Sequence, residues 1–181
     1  LLPGTDPLHK ITIIPRGRSM GTTWHLPTED SNFMTRNEMF EHIVELLGGR
    51  AAEEIIFKDI STGASNDIDR ASQTARDMVA RYGMSKQIGT ISYHSDDEVF
   101  IGGSYGKTKS YSESVAGQID DEVKTVIDAA YQKALELLTE NRDKLDAVAE
   151  FLLKHENMTG EQFKTFMEGQ NTTVEEATET E

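Results

Sequence analysis

The spacing of apolar residues changes several times along the chain, and each change marks a new element. His9–Ile14 reads His-Lys-Ile-Thr-Ile-Ile, β-branched and apolar, and is closed by Pro15 and Gly17, which predicts a strand. Gly21–Leu26 predicts a second strand, stopped by Pro27, and the short link Pro15–Met20 predicts that the two pair antiparallel. From Thr35 the period lengthens. Met39, Phe40, Ile43, Leu46 and Leu47 repeat at helical spacing, and Thr35-x-x-Glu38 predicts a capping box at the start. Gly48-Gly49 predicts a stop or a close-packing point, with helical character resuming over Arg50–Phe57. After a loop of cap-forming residues, Ser61–Asn66, a long helix follows. Ile68, Ala71, Ala75, Met78, Val79 and Tyr82 share one of its faces, and Gly83 ends it.

Residues 88–101 predict a hairpin-like excursion with an acidic turn, and the polar, Gly-rich stretch 102–109 predicts mobility. Ser110-x-x-Glu113 predicts a second capping box. It opens a long amphipathic helix running to about Leu138 through Val115, Ile119, Val123, Val126, Ala130 and Ala134. Asn141 is positioned to cap a further helix carrying Leu145, Val148 and Leu152. Thr159-x-x-Gln162 predicts a third box before Phe163, Phe166 and Met167. Residues 169–181 show no apolar period and predict a disordered acidic tail. The expected fold is mainly α, with a small β element near the N-terminus and a long C-terminal helical hairpin. The expected domain is 1–168, with 110–168 as its C-terminal helical subdomain.

Composition narrows the function. In 181 residues, 18 Lys+Arg stand against 32 Asp+Glu, a net charge of −14, which argues against nucleic-acid binding through phosphates. The chain has no cysteine, which excludes disulfides, Fe–S clusters and thiolate zinc sites. No apolar run approaches the roughly 18 residues of a membrane span. The first residues, Leu1-Leu2-Pro3-Gly4, carry neither an initiator Met nor a basic leader, and we read them as lying inside a longer polypeptide.

Candidate chemistry is sparse. None of the five histidines, His9, His25, His42, His94 and His155, lies four residues from another, and His-Glu-x-x-His is absent. There is no Gly-x-x-x-x-Gly-Lys-Ser/Thr loop and no Gly-x-Ser-x-Gly elbow. Ser61-Thr-Gly-Ala-Ser-Asn-Asp67 places the Asp67 carboxylate in the first helical turn, where backbone amides and the helix dipole favour its charged form. Two readings stand: Asp67 as an oxygen ligand to a metal, or Asp67 or Asn66 as a helix cap. Glu53-Glu54 reads as a solvated helix face or as an Arg50–Glu54 pair at i,i+4. As an acid/base pair it is disfavoured, because adjacent helix positions point about 100° apart. The Gly21–Leu26 strand reads as an ordinary sheet edge or as one that accepts an extended peptide.

The ordered motifs resemble the FtsH family of membrane-anchored, ATP-dependent zinc metalloproteases, over about residues 1–168. They are Leu2-Pro-Gly-Thr-Asp-Pro7, His9-Lys-Ile-Thr-Ile-Ile-Pro-Arg-Gly17, Leu46-Leu-Gly-Gly-Arg-Ala-Ala-Glu-Glu54 and Ser61-Thr-Gly-Ala-Ser-Asn-Asp67. Met78-Val, Tyr82-Gly-Met-Ser85 and Asp120-x-Glu122-Val continue the series. The resemblance implies a zinc ion held by two histidines of a His-Glu-x-x-His helix and by a third ligand that falls on Asp67. The family places that helix just before the Leu-Pro-Gly-Thr-Asp-Pro stretch, so the resemblance implies two ligands and the general base outside this chain. It further implies ATP and magnesium bound by an upstream AAA module, a homohexamer, and unfolded or membrane proteins as substrates. It implies a membrane anchor outside this chain and a peptidase domain on the cytoplasmic side of a bacterial inner membrane, or the matrix or stroma side in an organelle. Such a piece is expected to be inactive by itself. The rival reading is a non-catalytic helical interaction or oligomerisation module.

Overall fold

The computed structural model describes residues 1–15, 17, 21–26, 33–93 and 111–168. Most of the expected 88–101 excursion, the Gly-rich 102–109 stretch, Ser110 and the 169–181 tail lie outside the described residues. The described part of that excursion, residues 88–93, contains no strand; residues 86–88 form a turn instead. The chain divides into two compact units, Leu1–Thr5 with Asn32–Thr139, and Asp6–Ser31 with Glu140–Glu181.

The first unit is helical. Helix α1 spans Arg36–Phe57 and opens with the expected capping box: the Thr35 hydroxyl accepts from the Glu38 amide, and the Glu38 carboxylate accepts from the Thr35 amide. Gly48-Gly49 neither stops the helix nor packs closely. A β-carbon at either would meet no atom within 4 Å. The helix continues because Leu46, Leu47 and Ala51, on either side of the pair, are buried, and such burial outweighs the roughly 1 kcal/mol helix penalty of a glycine. It ends at Lys58, in the left-handed region at φ 55°.

A single 3₁₀ turn, Thr62–Ala64, leads into helix α2, Ser65–Arg76. Five residues of π-helix, Asp77–Arg81, then close on a bond from the Tyr82 amide to the Asp77 carbonyl (2.9 Å). This wider turn lets Met78, Val79 and Ala80 all be buried, although consecutive residues of an α-helix diverge by about 100°. It also rotates the register, so Tyr82, expected on the core face, is 49% exposed. Gly83 stops the segment at φ +61°, and a β-carbon there would stand 3.0 Å from the Thr90 Cα.

Helix α3 spans Glu113–Glu140. At its start the Ser112 hydroxyl accepts from the Val115 amide at 3.3 Å. Glu113 is the first helical residue, not the third that a capping box needs. Ile119, Val123, Ala130 and Ala134 join Ile43, Leu47, Ala51, Ala71, Ala75 and Val79 in one core. The alanines at these positions let helix backbones approach closely.

The second unit holds a three-stranded sheet in the order β2-β1-β3. The expected strands are β1 (Leu8–Thr12) and β2 (Thr22–His25), antiparallel as predicted, with a register shift between Leu8 and Lys10. Strand β3 (Asn157–Thr159) was not expected; it pairs antiparallel with the other side of β1. Helices α4 (Arg142–His155) and α5 (Gly160–Met167) flank β3 in sequence. Asn141 takes the α4 cap position, where its carbonyl accepts from Lys144 and Leu145, and Thr159 with Gln162 forms the expected box on α5. Phe151, Leu152 and Met158 form this unit's core with Ile11, Val148, Phe163 and Phe166. The two long helices of the second half therefore bury their faces in different cores, α3 in the first and α4 in the second.

Candidate functional site

Asp67 is the third residue of α2 and is half-buried. The N-cap of that helix is Ala64, with no side-chain cap bond, so neither Asn66 nor Asp67 is its cap. Among the described residues the Asp67 carboxylate receives no hydrogen bond and no ion pair. It lies in the first turn of α2, in the positive field of a helix N-terminus, with its oxygens uncommitted among the described residues.

The turn that presents it is tied down from α1. The Ser61 hydroxyl donates to Glu53 Oε1 at 2.5 Å, and the Ser61 amide donates to Oε2 at 3.1 Å. The same Ser61 oxygen accepts from the Gly63 amide at 3.1 Å, which starts the 3₁₀ turn. The Ser61 hydroxyl, and then its amide, hold the Glu53 carboxyl below its ordinary range. The sign follows: this anchor contributes above the ordinary value of 4.5 and is lost as the pH falls through the lowered one. Glu54 does not pair with Arg50. It accepts instead from the Tyr131 hydroxyl on α3. Burial, and then the bond to Glu54, push the Tyr131 phenol up to about 12. The Arg50 Nε is buried and has no hydrogen-bond partner among the described residues.

Other motif residues also make long-range bonds. The Ser85 hydroxyl donates to Glu122 and accepts from the Gln87 and Ile88 amides at 3.1 and 3.2 Å. Arg76 bonds Asp120 at 2.9 Å. These pairs span 37 to 77 residues of chain in three of the four cases. No period in the sequence announces them; Glu54, Ser85, Asp120 and Glu122 lie in the short motifs, whereas the partners Arg76 and Tyr131 lie in none. Of the histidines, His42 contacts Glu45 at 3.3 Å and His155 stacks on Phe151 with centroids 4.4 Å apart, while His94 lies outside the described residues.

Among the described residues no three His, Cys, Asp or Glu side chains group closely enough to hold a metal ion. A catalytic zinc takes three protein ligands, and at the start of α2 the described residues offer one uncommitted carboxylate, Asp67. The described residues by themselves do not fit the metal. Among the described residues, too, no helix is long and apolar enough to cross a membrane.

An α-helical unit whose motif residues brace one uncommitted aspartate, together with a small sheet unit, is the arrangement to be placed among known proteins. The family model for peptidase family M41 matches residues 1–166, and the chain belongs to that family. It is 49% identical over 172 residues to the ATP-dependent zinc metalloprotease FtsH 1 of Thermoanaerobacter sp. (strain X514), covering 94% of this chain and 28% of that protein. It is 49% identical over 171 residues to FtsH 2 of Alkaliphilus metalliredigens (94% and 25%) and 46% identical over 176 residues to FtsH of Myxococcus xanthus (97% and 28%). The chain thus spans about a quarter of the length of the curated relatives it matches.

Proposed function

We propose that this chain is the part of an ATP-dependent zinc metalloendopeptidase that supplies the carboxylate ligand of the metal. Asp67 is that ligand. The observation that carries the reading is its uncommitted carboxylate in the first turn of α2, held there by the Glu53–Ser61 anchor. The missing donors are the two histidines of a His-Glu-x-x-His helix, which the family places just before Leu2-Pro-Gly-Thr-Asp-Pro7. Zinc there supplies Lewis-acid chemistry for peptide hydrolysis. The role of this chain is to fix one anionic oxygen donor and the scaffold around it. Strand β2 receives the backbone of an unfolded substrate as an added strand. In the full-length protein, a membrane anchor and an AAA module binding ATP and magnesium drive substrate delivery within a homohexamer on the cytoplasmic side of a bacterial inner membrane.

The test is Asp67→Ala in the full-length protein. Casein degradation is abolished while ATP hydrolysis continues. Proteolysis at the parental rate would show that Asp67 serves α2 alone and would leave the interaction-module reading in its place.

A further inference from the structure

The first unit holds a cavity that the ligand role of Asp67 does not use. It has a volume of about 280 Å³ and lies between the start of α1 and the middle of α3. Its floor is apolar: Phe40 of α1, the buried Met78 of the π-helix, and Val126 and Ala129 of α3. The rest of its lining, Arg36, Asn37 and Thr125, is polar and exposed, so a dry floor sits under a polar mouth.

The mouth carries charge of one sign. Arg36 is its cation, and no carboxylate joins the lining among the described residues. The Arg36 guanidinium and the Asn37 side-chain amide make no hydrogen bond and no ion pair among the described residues. The Thr125 hydroxyl donates to the Asp121 carbonyl at 2.9 Å, so it has no proton to offer a ligand. The donors at the mouth are therefore Arg36 and Asn37, in a chain of net charge −14.

Size and charge select the ligand. An apolar cavity of about 150 Å³ stays dry and takes benzene, whereas sites for drug-sized ligands start at about 300 Å³. The present volume lies between the two and takes a single apolar tail, not a nucleotide. One guanidinium beside one amide matches a planar carboxylate, which accepts paired N–H bonds. A phosphate dianion would need further cations against the field of this acidic chain. An extended peptide would need a strand edge beside the cavity, and the described strands all belong to the second unit.

We propose that this cavity binds a monocarboxylic acid with an apolar tail of roughly eight carbons. The tail lies on Phe40, Met78, Val126 and Ala129, and the carboxylate is held by Arg36 and Asn37. The site requires neither metal nor hydrolysis.

The test follows the Met78 methyl group by nuclear magnetic resonance in methyl-labelled chain, its signal assigned with Met78→Leu. The probes are octanoate, 3-phenylpropionate and, as the uncharged comparison, octanamide. A saturable shift of the Met78 methyl signal is expected with at least one acid. A response to octanoate alone defines a straight acyl tail, and to 3-phenylpropionate alone an aryl tail. Arg36→Gln weakens the acid about five-fold, the upper end for an exposed ion pair, and leaves octanamide unaffected. Ala129→Phe fills the cavity from an exposed position, keeps the helical circular dichroism and removes the shift. No saturable shift with either acid, an acid affinity unchanged in Arg36→Gln, an equal loss for octanamide, or binding retained in Ala129→Phe would overturn the proposal. Asp67→Ala leaves all these results unchanged, so this inference and the metal-ligand reading fail separately.

Discussion

The first unit uses its polar motif residues on itself, whereas the second carries a half-exposed indole, Trp24, on the sheet face opposite its core. In the helical unit Glu53 holds Ser61, Glu54 holds Tyr131, Ser85 holds Glu122 and Arg76 holds Asp120, and Asp67 is the carboxylate these bonds leave uncommitted. In the sheet unit the core is a small set of apolar side chains on one side of β1 and β3, and the other face carries Lys10 and Trp24. Motif residues in this chain are therefore mostly braces. Chemistry is to be sought in the groups the braces leave over.

The largest expected effect strikes the first unit's core. Ile43 is fully buried, and Ile43→Ala lowers stability by about 2–5 kcal/mol in chemical denaturation. The second unit has a backbone counterpart. A β-carbon at Gly160 would stand 2.1 Å from the Leu8 carbonyl oxygen, so Gly160→Ala costs about 1–3 kcal/mol. The Trp24 emission then shifts at lower denaturant than the helical circular dichroism signal. Coincident shifts would mean that the two units unfold as one. Ser85→Ala removes the acceptor of two amides and the donor to Glu122, at about 1–3 kcal/mol. A loss below about 0.5 kcal/mol would show that the bracing in the first unit is decorative.

Tyr131 gives a pH test. Its phenol titrates near 12 in the folded chain and near 10 when unfolded, so its contribution is complete below pH 10 and is lost as the pH rises to 12. Tyr131→Phe lacks that loss, and the difference in stability between parent and variant shrinks across this window. The smallest effect runs the other way: Gly49→Ala stabilises α1 by about 0.5–1 kcal/mol, since the added carbon meets no atom within 4 Å. Destabilisation instead would reveal a close contact at Gly49.

What could be read from the sequence was local. Thr35–Glu38 and Thr159–Gln162 are caps whose two partners lie three residues apart, and both formed as the spacing required. The β1–β2 pairing followed from two β-branched runs and a short link. What escaped was non-local or cooperative. Strand β3 is three residues long and exists because Met158 is buried beside Ile11, a contact no spacing predicts. The π-helix turned Tyr82 outward because three consecutive residues had to be buried. The Glu54–Tyr131 bond displaced the expected Arg50–Glu54 pair because a hydroxyl on α3, 77 residues away, reached the carboxylate. Of the candidate site, the placement of Asp67 in a first turn was legible. Its lack of a partner among the described residues was not, since that depends on which residues the fold brings near it.

The most direct measurement is zinc content by metal analysis in the full-length protein, parent against Asp67→Ala, each purified without added metal. The account predicts about one zinc per chain in the parent and a strong loss in the variant, with ATP hydrolysis unchanged. Zinc retained in Asp67→Ala at the parental level and affinity would contradict it.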